Sequence, residues 1–144
     1  MTDLTAANAV ITIGVPGVFN TPQQLQGFAA DDVTDMDNAK VLEHVMGVDG
    51  VLSFGFVFVE RMQNITLQAD SAANSFFDII NASQEAAQTA YPLTGVIILP
   101  AIGLMFSCIN GGLDTYNPMP AVRKIIQPRK FRIVWNKVIA APAA

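Results

Sequence analysis

The chain is 144 residues long, with 51% hydrophobic residues, 14% charged residues and a net charge of −4. That length supplies one domain with its own core, but the charged share lies well below the roughly 25% of an ordinary soluble domain. Composition thus favours a subunit whose surface meets other protein over a membrane-embedded chain, with an ordinary apolar-rich monomer as the other reading.

Ala9 to Val15 (AVITIGV) reads as a first strand, ended by Pro16-Gly17, and Phe19 to Gln26 reads as loop. Asp31, Asp32, Asp35 and Asp37 form an acidic cluster around a short ambiguous segment, Val41 to Met46 (VLEHVM) reads as a helical turn, and Gly47 to Gly50 as a turn. From Val51 to Val59 the period-two pattern puts Leu52, Phe54, Phe56 and Phe58 on one face of a strand, with Ser53, Gly55, Val57 and Val59 on the other. Glu60 to Asn64 turns the chain, and Ile65 to Ala69 alternates as a half-buried strand does, which predicts a hairpin of these two strands.

Asp70-Ser71 supplies cap chemistry for a helix over residues 72–89, with Phe76 and Ile80 on one face and Tyr91-Pro92 as its end. The most apolar run follows, TGVIILPAIGLMFSCING. A membrane helix needs roughly 20 apolar residues. Here Leu93 to Ile109 gives 17, interrupted by Gly95, Pro100 and Gly103, without nearby basic anchors. The run instead splits into a hairpin, GVIIL and LMFSC, turned by Pro-Ala-Ile-Gly. Strands apolar on both faces imply cover on both sides. Asn110 to Gly112 and Asn117 to Pro120 mark loops, Lys130 to Val138 (KFRIVWNKV) alternates as a last strand, and the tail IAAPAA reads as loose. Six or seven strands and one good helix predict a single domain over 1–144, mainly β (α+β), a small β-sandwich or barrel with one packed α-helix.

Charge is unevenly spread. All twelve acids precede Thr115, so residues 1–114 carry −10 and residues 115–144 carry +6. Two readings stay open: a basic final strand beside acidic neighbours in one monomer, or opposite-signed patches suited to head-to-tail contacts. The opening MTDLTAANAV is acidic and polar, unlike a secretory leader, which predicts synthesis in a cytoplasm.

Catalytic and metal chemistry find little support. His44 is the only histidine and Cys108 the only cysteine, so a zinc ligand set is incomplete. Cys108 inside an apolar strand reads as a small buried hydrophobe. The four aspartates lack calcium-loop spacing, and no glycine pattern matches a phosphate cradle. PRKFRIVWNK interleaves aromatics with cations but is too modest a basic stretch for a nucleic-acid grip. No catalytic, cofactor-binding or metal residue is assigned. An enzyme or ligand-binding module would need a pocket where polar groups such as His44, Tyr91 and Tyr116 converge.

Four stretches carry a family likeness: Gln26-Gly-Phe-Ala-Ala-Asp-Asp32, Met46-Gly-Val-Asp-Gly50, the passage Ile65-Thr-Leu-Gln-Ala-Asp-Ser-Ala-Ala-Asn74, and the closing strand Phe131 to Trp135. In order and spacing, over residues 9 to 138, the chain resembles the small tail tube proteins of contractile-tailed bacteriophages. It departs from them in the long connection Thr115 to Pro128 (TYNPMPAVRKIIQP). The resemblance implies a structural virion protein of the tail, assembled in the host cytoplasm. Homo-oligomeric hexameric rings would stack helically into a tube, with strands joining across subunits. Sheath protein would lie outside, a tape-measure protein would fill the bore, and DNA would later pass through at ejection without specific binding. A tail-completion or tube-cap protein and a secretion-system tube subunit are the alternatives. Because Phe54, Phe56 and Phe58 are many aromatics for a free hairpin, they are expected at an inter-subunit contact, with Arg123 and Lys124 as axial charge partners.

Overall fold

The structure is a computed structural model that describes residues 9–19, 21–28 and 33–142. Among the described residues the protein is mainly β with a single helix, as expected. In chain order the strands are β1 (Val10–Gly14), β2 (Gln23–Gln24), β3 (Thr34–Met36), β4 (Leu42–Met46), β5 (Leu52–Phe56) and β6 (Arg61–Leu67). Helix α1 (Asn74–Ala87) follows, then β7 (Leu93–Leu99), β8 (Leu104–Thr115) and β9 (Arg129–Pro142). Seven strands form one antiparallel sheet in the order β2-β1-β7-β8-β9-β6-β3, and β4 and β5 form a separate two-stranded sheet. The large sheet is open, not a closed barrel, with the short strands β2 and β3 at its edges. No helix of the described residues is long and apolar enough to cross a membrane.

One face of the sheet makes the core. Register sets Ile11 opposite Ile97, Ile65 opposite Phe131 and Gln63 opposite Ile133, so these side chains share that face. Helix α1 covers part of it through the buried Phe76, Phe77 and Ile80. The Phe77 ring stacks on Phe131 at 4.3 Å, and Phe76 stacks on Phe19 at 5.0 Å. The sheet curls enough that Val33 to Met36 near one edge and Ala9, Ile97 and Phe106 on the other side line a common, mostly apolar cleft of about 470 Å3.

Several local expectations are corrected. VLEHVM is strand β4, not a helical turn, and β5 pairs with β4, not with β6. The polar stretch expected to turn the chain is the first half of β6, which pairs with β9 on one side and β3 on the other. The helix ends at Ala87, where Gln88 adopts a left-handed conformation and its N–H reaches the Gln84 carbonyl, ahead of Tyr91-Pro92. Its start is not capped by a side chain, although Ser71 Oγ accepts from the Ala73 N–H at 3.1 Å just before it. The tail expected to be loose is paired, with Ile139 to Pro142 running against Leu104 to Ser107. The β7–β8 hairpin forms as expected, turned by Pro100 to Gly103.

Two of the stretches that carried the family likeness meet in space. The Gln68 N–H donates to the Gly27 carbonyl at 2.9 Å, and Phe28 bridges Leu67. Ser71 Oγ donates to the Gln26 carbonyl. Gly27 has φ +73 and sits so close that an added Cβ would lie 2.5 Å from Ser71 Oγ, so glycine is required there on both counts.

Candidate assembly surfaces

The β4–β5 arm is built by its own turn. Gly50 takes φ +84, Gly47 donates to the Val51 carbonyl at 2.8 Å, and Asp49 Oδ1 accepts from the Val51 N–H at 3.2 Å. Register places Leu42 opposite Phe56, His44 opposite Phe54 and Met46 opposite Leu52, so these six share one face of the arm. Every residue of both strands is exposed. Phe54, Phe56 and Phe58 are 63%, 73% and 92% exposed, and Phe56 and Phe58 pack edge to face on each other at 5.0 Å. An isolated two-stranded hairpin is marginally stable in water. An apolar one needs a surface to lie against.

A second exposed surface is the loop from Tyr116 to Pro128. Its tip carries Arg123 and Lys124 among Met119, Val122, Ile125 and Ile126, all exposed. Its base is fixed. The buried Arg129 guanidinium donates from Nη2 to Asp78 Oδ1 at 2.8 Å and to the Asn117 carbonyl at 2.6 Å, while Nη1 reaches Asp78 Oδ2 at 3.3 Å. The Tyr116 hydroxyl donates to the same carboxylate, and the guanidinium lies 5.0 Å from the Phe131 ring centre. Hydrogen bonding from Arg129 holds the Asp78 carboxyl below its ordinary value, against the opposing effect of its partial burial. Accepting the Tyr116 proton donor, Asp78 in turn pushes the tyrosine above its ordinary value. The same carboxylate raises Arg129. No sequence pattern pointed to this cluster: Asp78 and Arg129 are 51 residues apart, and only the pairing of β9 sets the helix and the loop on either side of the guanidinium.

The residues expected at subunit contacts thus fall into two separate groups, three aromatics on or just beyond the arm and two cations on the loop. Neither cation forms an ion pair among the described residues. His44 stands on the arm opposite Phe54, and among the described residues no cluster of His, Cys, Asp and Glu could hold a metal. Asp35 and Asp37 accept from Asn64 Nδ2 at 2.7 and 3.0 Å, and Asp37 lies 3.8 Å from Arg132 Nη2. Asp31 and Asp32 lie outside the described residues. His44, Tyr91 and Tyr116 do not converge: none lines the apolar cleft, whose one buried polar side chain, Gln63, is already engaged by Trp135 Nε1 and Thr34 Oγ1, each at 2.9 Å. Cys108 is buried, and desolvation pushes its thiol up to about 11.

Solved structures share this fold. A chain in the 6-fold symmetrised baseplate of the anti-feeding prophage matches with a TM-score of 0.57 at 8% identity, over 99% of this chain and 97% of that one. A chain in the extended sheath–tube complex of the PVC extracellular contractile injection system matches with a TM-score of 0.57 at 12% identity, over 98% and 93%. A chain in the extended sheath/tube terminator of the same system gives 0.57 at 12% identity, over 98% of each. At these identities the likeness is one of fold. No curated protein matches the sequence significantly. The family model described as tail fiber protein gp32 matches residues 2–139, nearly the whole chain, and the protein belongs to that family.

Proposed function

We propose that the protein is a structural subunit of a contractile-tail particle that assembles with copies of itself at an end of the tail tube, closing or completing it. The observation that carries this reading is the β4–β5 arm, an apolar two-stranded sheet exposed throughout and with no third strand among the described residues. Membership of a tail-protein family supports a place in the virion tail. Likeness in fold to chains from a baseplate and a sheath/tube terminator supports the tube ends. In this reading the rings are hexameric, strands join across subunits, and sheath and tape-measure proteins are the neighbours. Sparse charge then follows, since little surface stays wet.

A second reading is the repeating tube subunit through whose bore DNA is ejected, favoured by the equal likeness to a chain of a sheath–tube complex. Negative-stain microscopy of the purified protein, with its copy number counted in virions, separates the two. Single or short-stacked rings at a few copies support an end protein. Long tubes and hundreds of copies assign the repeating tube. A species that stays monomeric in solution and in particles refutes both.

A further inference from the structure

We propose that the β4–β5 arm of one copy docks on the Met119–Ile126 loop of the next. This rests on the reading that the chain assembles with itself, and adds which two surfaces meet.

Both surfaces are apolar and exposed, and they carry opposite charge. Residues 41–60, the arm and its exit, hold Glu43, Asp49 and Glu60; Lys40 and Arg61 flank them, and Glu43 lies opposite Gly55 on the face away from Phe54 and Phe56. Residues 115–128 hold Arg123 and Lys124, with no acid. Among the described residues Asp49, Glu60, Arg123 and Lys124 form no ion pair, and Glu43 has only an exposed contact to Lys40 at 3.3 Å, which is weak in water. The other apolar matches are worse. Arm against arm brings acids to acids, and loop against loop brings Arg123 and Lys124 to their own copies; like charges set face to face oppose docking.

The loop is also pre-shaped to receive a partner. Val122 bridges Ile126, the Gln127 N–H donates to the Ala121 carbonyl at 2.9 Å, and the Gln127 amide donates to the Ile125 carbonyl at 2.9 Å. Arg129 pins the chain at Asn117. A loop already ordered loses less freedom on binding. Because the two surfaces differ, the contact is heterologous, and repetition of such a contact yields a closed ring or an open helical stack.

Mixed cross-linking tests this. Val48→Cys at the arm tip and Ile125→Cys on the loop are made in separate chains, both sites being exposed. Cys108 is left in place, since it is buried. Under mild oxidation, disulfide-linked dimers are expected in the mixture and not in either variant alone. V48C chains that link to one another as readily as to I125C overturn the proposal, as does a mixture that assembles without linking. A charge exchange gives a second arm: Arg123→Glu with Lys124→Glu is expected to raise the protein concentration needed for assembly on the order of tenfold or more. Adding Glu43→Lys and Glu60→Lys, which leave the Asp49 turn intact, restores assembly if the two surfaces meet. No recovery, with wild-type circular dichroism retained, overturns the docking while leaving self-assembly standing. Failure of the wild-type chain itself to assemble removes both.

Discussion

Trp135 is held by what its neighbours lack as much as by what they offer. Its indole lies over Gly95 and Gly111, where an added Cβ would come within 3.0 and 2.3 Å of the ring, and its Nε1 donates to the buried Gln63. Gln63 passes the tie to Thr34 on the edge strand, and Thr34 Oγ1 donates to the Asn64 carbonyl at 2.8 Å. Gly111→Ala is therefore expected to overpack the core and destabilise the fold by about 1–3 kcal/mol, read as a lower midpoint in urea. Asp78 is the other residue on which much depends. Asp78→Asn leaves the Arg129 cation buried without its counter-charge; because the carboxylate is itself partly exposed, the expected loss is about 1–3 kcal/mol, below that of a fully buried pair. The pH dependence has a fixed sign. The folded state depresses the Asp78 pKa below its ordinary 3.8, so it binds fewer protons than the unfolded chain there. Its stabilisation is present above that value and is lost as pH falls through the lower folded value. Acid titration of unfolding should show the wild type losing stability below about pH 4 faster than D78N does; parallel curves would contradict the role given to this carboxylate.

Elements were legible where their signals are local. The β7–β8 hairpin announces itself by Pro100 to Gly103 between two apolar runs, and α1 by Phe76 and Ile80 at helical spacing above a Ser71 turn. Errors arose where pairing is distant or period ambiguous. Leu42, Val45 and Met46 fit a helical spacing as well as Leu42, His44 and Met46 fit a strand, and only β5 across the turn decides for the strand. Arg61 to Asn64 reads as a turn because it is polar, yet its partner strand is Ile133 to Trp135 and the neighbouring residues of β9, some 70 positions on. The Ala-rich tail carries no strand propensity, and β8 supplies its pairing. The aromatic face of β5 was recognisable, but the surface it meets was not. Two element-scale tests follow. Phe77→Ala removes the ring stacked on Phe131 and is expected to cost about 3–5 kcal/mol, weakening the hold of α1 on the sheet. Phe56→Asp lies on an exposed strand, so a folded, monomeric product is expected by circular dichroism and size-exclusion chromatography; assembly equal to wild type would remove β5 from the contact.

At the scale of the whole molecule, sparse charge and exposed apolar surface describe one situation. The buried side of the sheet is fully furnished, with Trp135, Phe77 and Phe131 at its centre, so the hydrophobic excess is not needed there. It appears on the arm and on the long loop, which carry Val48 at the arm tip, Phe58 at its base and Ile125 on the loop, all largely exposed. On the proposed docking, the division of charge, −10 before Thr115 and +6 after it, is not merely a local balance between strands. Part of it is: Arg129 answers Asp78 and Arg132 lies near Asp37. Arg123 and Lys124 on the loop and Asp49 and Glu60 on the arm form no ion pair among the described residues, and under the proposed docking they are two halves of a contact. Sedimentation velocity of the purified wild-type chain across a hundredfold range of concentration addresses this most directly. Ring-sized species that grow with concentration are predicted; a single 15.4 kDa boundary at every concentration would contradict the account.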